Sequence, residues 1–113
     1  MASPKETIEA LVASNPVVVY AKSYCPHCAK TKALLTELHV DLVLVDLDLM
    51  LEGEALQNAL ADLTVHIVNA TTGQRTVPNV FIGAKSVGGN SDVQDLHTKE
   101  ELVPLLKAQG ALA

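Results

Sequence analysis

Val17-Val18-Val19-Tyr20 is apolar at every position and mostly β-branched, so both faces of a strand built from it need cover. Such a run suits the centre of a sheet with helices on either side. Leu42-Val43-Leu44-Val45 repeats the pattern, and Asp46 and Asp48 mark the return to solvent. Between the two runs, Leu34, Leu35 and Leu38 form an apolar stripe while Lys30, Lys32 and Glu37 stay polar, which predicts a helix ending near Leu38. Strand, helix and strand in that order make a βαβ unit. A right-handed crossover renders the strands parallel and sets the turn after the first strand at the carboxyl edge of the sheet, where ligands of open α/β sheets usually bind.

That turn carries Cys25-Pro26-His27-Cys28. At a helix N-terminus, unpaired N–H groups and the helix dipole favour an anion, here a thiolate over a thiol. Thiols at i and i+3 share one side of the first turn and can close a small disulfide after one has attacked a substrate. Cys25 is therefore expected to be the nucleophile and Cys28 the resolving thiol. A bridge closing so short a loop would remove little unfolded-state entropy, so the pair reads as catalytic, not as a structural staple.

The flanking elements can be read in the same way. Ser3-Pro4-Lys5-Glu6 has the form of a capping box with proline at the first helical position, and Ile8, Leu11 and Val12 follow at helical spacing, predicting a helix to about Ser14. Asn15-Pro16 breaks it. Ala55, Leu56, Ala59, Leu60 and Leu63 share one face of a third helix over Glu54 to Leu63. Val77 to Ile82 and Lys85 to Gly88 are expected strands joined through Gly83-Ala84, a two-residue hairpin connection. Ser91 or Asp92 is expected to cap a short helix through about His97, and Thr98-Lys99-Glu100-Glu101 to open the last helix as a second capping box. Pro104 should kink or delay that helix.

The chain has 113 residues, enough for a single domain spanning 1–113 with one core, and with two Tyr and one Phe that core must be aliphatic. A formal net charge of −5 argues against a general nucleic-acid binder. No apolar run approaches the ~20 residues of a membrane span, and the N-terminus lacks the basic-then-apolar order of a secretory signal. A soluble, cytoplasmic protein is expected, and the glycosylation triplet at Asn69 carries little weight there. His27, His39, His66 and His97 show no paired ligand spacing to join two thiols around zinc, so no metal is expected.

With these motifs in place the chain resembles the dithiol glutaredoxins. Three segments carry the resemblance: Cys25-Pro26-His27-Cys28, then Thr76-Val77-Pro78 about fifty residues on, then Gly88-Gly89-Asn90-Ser91-Asp92. Thioredoxins usually place Trp ahead of Cys-Gly-Pro-Cys, whereas this chain has no Trp and reads Tyr24 there. The resemblance implies a thioredoxin-like α/β fold, a central four-stranded mixed sheet flanked by helices. It also implies a cis Pro78, whose preceding Val77 offers its backbone to an extended tripeptide as one more strand. Glutathione, the implied co-substrate, would lie with its sulfur at Cys25 and against His27 and Gly89. Lys22 and Gln57, with Arg75 assisting, match residues that hold its glycyl carboxylate, and Ser91 and Asp92 match those at its γ-glutamyl end. The implied partners are glutathionylated or disulfide-bonded proteins, and the implied state is a monomer.

Two departures from the family pattern stand out. His27 occupies a position where tyrosine is common, putting an imidazole in place of a phenol beside the groove. About eight residues around Val65 to Thr71 are inserted before the Thr-Val-Pro segment and are expected near the glutathione groove, adjusting access for protein substrates. The rival function is a dimeric carrier of a glutathione-ligated [2Fe-2S] cluster. Pro26 argues against it, since a rigid residue without an N–H restricts the loop where cluster-binding relatives more often have Gly or Ser.

Overall fold

The computed structural model describes residues 3–67 and 77–111. The chain order is α1 (Pro4–Ser14), β1 (Val17–Ala21), α2 (Pro26–Glu37), β2 (Val43–Asp46), a 3₁₀ turn at Leu47–Leu49, α3 (Gly53–Ile67), β3 (Asn79–Ile82), β4 (Lys85–Gly88), α4 (Asn90–Thr98) and α5 (Leu102–Ala108). The strands form one sheet in the order β2-β1-β3-β4. β1 runs parallel to β2 and antiparallel to β3, which pairs antiparallel with β4. This is the expected mixed four-stranded sheet.

The apolar run of β1 is explained by cover on both sides. Val17, Val19 and Ala21 join Val80 and Ile82 under Leu34 and Leu35 of α2, Val93 of α4, and Leu102 and Leu106 of α5. Val18 and Tyr20 join Phe81 on the other face, under Ile8 and Val12 of α1 and Leu56 and Leu60 of α3. All five β1 residues are buried. The Tyr20 and Phe81 rings meet edge to face with centroids 5.8 Å apart.

Several expectations need correction. β2 repeats the composition of β1 but lies at the sheet edge, paired on one side only among the described residues, and Leu44 is exposed. β3 begins at Asn79, not Val77. The first turn of α4 starts two residues early, with Gly89 at the N-cap, and Asp92 reaches back to accept the Gly89 N–H at 2.9 Å. Thr98 to Glu101 do not open α5. Thr98 closes α4, its hydroxyl donating to the Gln94 carbonyl at 3.0 Å, and Glu100 takes a left-handed φ of +62°. α5 therefore starts at Leu102, and Pro104 falls in its first turn, where backbone N–H groups have no partner within the helix to lose. The capping box of α1 is formed as expected, with Ser3 Oγ accepting the Glu6 N–H and Glu6 Oε1 the Ser3 N–H.

α3 continues to Ile67, past the expected end at Leu63, so Val65 to Ile67 of the expected insertion fall within that helix. The rest of the insertion, Val68 to Thr71, and Arg75 and Thr76 lie outside the described residues. Among the described residues no helix is long and apolar enough to cross a membrane.

Candidate active site

β1 ends at the middle of the sheet, and the turn that follows delivers Cys25 to the start of α2. The Cys25 N–H donates to the Lys22 carbonyl at 3.2 Å. Cys25 is the N-cap of α2, where its Sγ accepts the Cys28 N–H at 3.2 Å, and Pro26 occupies the first helical position, which needs no N–H. The Cys25 sulfur also lies 3.8 Å from the Val77 carbonyl oxygen, a distance at which a thiol can donate weakly to it. The Val77-Pro78 peptide bond is cis, as the resemblance implied.

The two thiols differ chemically. Cys25 is half-buried, while Cys28 packs into the α2-side core with no exposure. Burial, reinforced by the hydrogen bond with Cys25, pushes the Cys28 thiol up to about 12. A helix-end sulfur open to a partner thus sits beside a proton-bearing sulfur closed to solvent.

An open groove of about 400 Å³ is lined by His27, Val77, Pro78, Gly89, Asn90, Ser91 and Asp92. Gly88 makes its wall possible: φ is +106°, and a Cβ there would stand 2.2 Å from Asp92 Oδ2. Asn90 is anchored from below. Its Oδ1 accepts the buried Thr31 hydroxyl at 2.8 Å and the Gln94 amide at 3.3 Å. Thr31 lies one turn past Cys28, so this hydrogen bond ties the groove wall on α4 to the helix that carries the thiols.

A second groove, of about 290 Å³, is lined by Lys22, Tyr24, Leu47, Asp48, Gly53, Glu54 and Gln57. Asp48 accepts the Ser23 N–H at 2.9 Å through Oδ1 and the Ser23 hydroxyl through Oδ2. The Ser23 hydroxyl, then its N–H, and more weakly the Lys22 charge hold the Asp48 carboxyl below the usual range.

The residues singled out in the sequence thus fall into two neighbouring clefts. His27, Val77, Pro78, Gly89, Ser91 and Asp92 share the first, and Lys22 and Gln57 the second. Cys25 stands between them, bonded to the Lys22 carbonyl and next to Val77. Sequence reasoning missed Thr31, and it named Asn90 only as part of the Gly88-Asp92 segment without a role of its own. A signal existed, since Thr31 is the polar member of the buried face Cys28, Thr31, Leu34 and Leu35. It also missed the Ser23-Asp48 pair, which no spacing rule announces. Among the described residues no three His, Cys, Asp or Glu side chains gather where they could hold a metal ion.

Comparison with known proteins points to one family. The family model described as Glutaredoxin matches residues 17–87. A chloroplastic glutaredoxin-C4 of Oryza sativa subsp. japonica is 50% identical over 103 residues, covering 91% of this chain and 71% of that protein. Glutaredoxin-C6 of the same plant is 47% identical over 113 residues, covering all of this chain and 90% of that protein. Among solved structures, a buckwheat glutaredoxin-glutathione complex superposes with a TM-score of 0.86 at 39% identity, covering 97% of this chain and 93% of that one.

Proposed function

The chain belongs to the glutaredoxin family of thiol-disulfide oxidoreductases, on its thioredoxin-like fold, and from that premise we propose that it reduces glutathione mixed disulfides and protein disulfides with glutathione as electron donor. The observation that carries the reading is the unequal thiol pair at the head of α2, with Cys25 open between two clefts and Cys28 buried behind it. The clefts suit glutathione in charge: Lys22 offers a cation to the glycyl carboxylate, and the Asp92 carboxylate faces the end that brings an ammonium. The buckwheat protein solved with glutathione supports the same assignment.

In the proposed cycle the Cys25 thiolate attacks the glutathionyl sulfur of a mixed disulfide. A Cys25-glutathione disulfide forms as the old S–S bond breaks, and the partner leaves as a thiolate that takes a proton from water. The Cys28 N–H, 3.2 Å from Cys25 Sγ, points at the sulfur that carries the charge before attack. A second glutathione thiolate then displaces the bound one as glutathione disulfide and restores Cys25, so the mixed disulfide is exchanged for glutathione disulfide and the partner leaves reduced. For protein disulfides, Cys28 attacks the mixed disulfide at Cys25, forms the Cys25-Cys28 bond and releases the partner, and two glutathiones reduce that bond. The proposal includes a monomer acting in the cytoplasm, whose reducing state keeps both cysteines as thiols.

A glutathione-coupled assay on a small glutathione mixed disulfide, run on the wild type, Cys25→Ser and Cys28→Ser, tests this. Cys25→Ser should be inactive and Cys28→Ser should keep deglutathionylation while losing reduction of protein disulfides. Loss of both activities in Cys28→Ser would refute the route that uses Cys25 alone.

A further inference from the structure

Residues 46–54, Asp-Leu-Asp-Leu-Met-Leu-Glu-Gly-Glu, pass along the second groove with four carboxylates and no cation. Within that stretch Leu49 is 72% exposed, Met50 41%, and Leu51 stands wholly in solvent. Tyr24, 71% exposed, directly precedes Cys25 and lines the same groove as Asp48, Gly53 and Glu54, the residues on either side of the apolar triplet. Consecutive large apolar side chains facing water are unusual on a monomer and mark contact surfaces.

The backbone beneath them is pinned. Asp48 holds Ser23 through both carboxylate oxygens, the Met50 N–H donates to the Leu47 carbonyl at 3.3 Å, and the Gly53 N–H to the Met50 carbonyl at 3.2 Å. Gly53 packs so tightly on Leu47 that a Cβ would lie 1.9 Å from its carbonyl oxygen. The triplet is thus presented outward by a fixed turn.

We infer that this rim, Tyr24 with Leu49, Met50 and Leu51, seats the protein half of the mixed disulfide, and that it selects polypeptides whose reactive cysteine is flanked by apolar residues and by Lys or Arg. The inference rests on the oxidoreductase reading. The two clefts beside Cys25 are of peptide size, so a protein partner must rest on the surface around them, and this rim is the exposed apolar surface continuous with one of them. Charge decides the flanks: Asp48, Glu52 and Glu54 flank the triplet in sequence and outnumber Lys22, the cation lining the same groove, on a chain of net charge −5, which attracts cationic segments and repels acidic ones.

The test compares wild type with Leu49→Ser/Leu51→Ser on three glutathionylated substrates: a small thiol, a peptide with Leu and Lys beside its cysteine, and a peptide with Asp and Glu there. The wild type should favour the Leu/Lys peptide over the acidic one by about tenfold in kcat/KM at low salt, and less as salt is added. The double variant should lose about tenfold on the Leu/Lys peptide, through KM, and stay near wild type on the small thiol. Equal effects on all three substrates, or none on any, would overturn the docking role. So would a wild-type dimer that the variant dissolves, since the rim would then belong to a second copy of the chain. Inactivity of the wild type on every substrate would instead remove the oxidoreductase reading, and the docking role with it.

Discussion

Cys25 and Cys28 occupy the same helical turn, yet only one of them meets solvent. An alkylating reagent at neutral pH should therefore modify Cys25 and leave Cys28 untouched until the protein is unfolded, as peptide mapping by mass spectrometry will show. Equal labelling of both would contradict the burial that pushes Cys28 up to about 12. Thr31 offers a second residue-level test, because its hydroxyl is the buried donor that fixes Asn90 in the groove wall. Thr31→Val keeps the shape and removes that donor, at a cost of about 1 kcal/mol in groove order. KM for a glutathione mixed disulfide should rise roughly fivefold with kcat nearly unchanged, and Thr31→Ser should restore it. A purely structural role would lower stability and leave KM where it was.

Helix ends set the boundaries that sequence reading misjudged. α2, α4 and α5 all finish in the same way: Val40, Glu101 and Ala111 donate their N–H to Leu35, Leu96 and Leu106, and His39, Glu100 and Gly110 adopt positive φ. Only Gly110 is suited to that conformation. The motif at Glu100 is why Thr98 to Glu101 ends a helix although its composition is that of a helix start; no glycine announces the turn. Glu100→Gly should raise stability by roughly 0.5 to 1 kcal/mol, the relief of left-handed strain less the entropy of glycine. Calorimetry should register this as a Tm rise of a few degrees, and a fall would mean that the Glu100 side chain contributes more than its backbone costs. Elsewhere local chemistry was legible. The Ser3-Glu6 capping box, the β1 run and the Gly83-Ala84 hairpin, both of whose residues have positive φ, are decided by neighbours in sequence. The edge position of β2 was not, because Leu42 to Val45 resembles β1 in composition and differs only in what the fold lays beside it.

For the molecule as a whole, the same logic separates what the motifs revealed from what only the packed chain shows. The thiols were readable from their place in the chain and the Val77-Pro78 and Gly89-Asp92 segments from the family resemblance, whereas the division into two clefts depends on α3 and α4 arriving from opposite faces of the sheet. That two-faced burial also gives stability a pH dependence. Cys28 lies in one core and Tyr20 in the other, and burial pushes each up to about 12, from ordinary values of 9.0 and 10.0. Their folded-state values exceed the unfolded ones, so below about pH 9 both states keep both protons and nothing is lost. As pH rises, the unfolded chain gives up the Cys28 proton first and the Tyr20 proton about one unit later, while the folded chain holds them; stability then falls by up to about 1.4 kcal/mol per pH unit for each group. Tm followed between pH 8 and about 11 should decline from about pH 9 in the wild type. In Cys28→Ser the decline should begin about one unit later, and in Tyr20→Phe its steeper upper part should flatten. Parallel curves for all three proteins would show that neither buried group governs the alkaline limb. The Tyr20→Phe curve should also lie above the wild type at neutral pH, because the Tyr20 hydroxyl is buried with no hydrogen-bond partner among the described residues and removing it relieves about 1 kcal/mol.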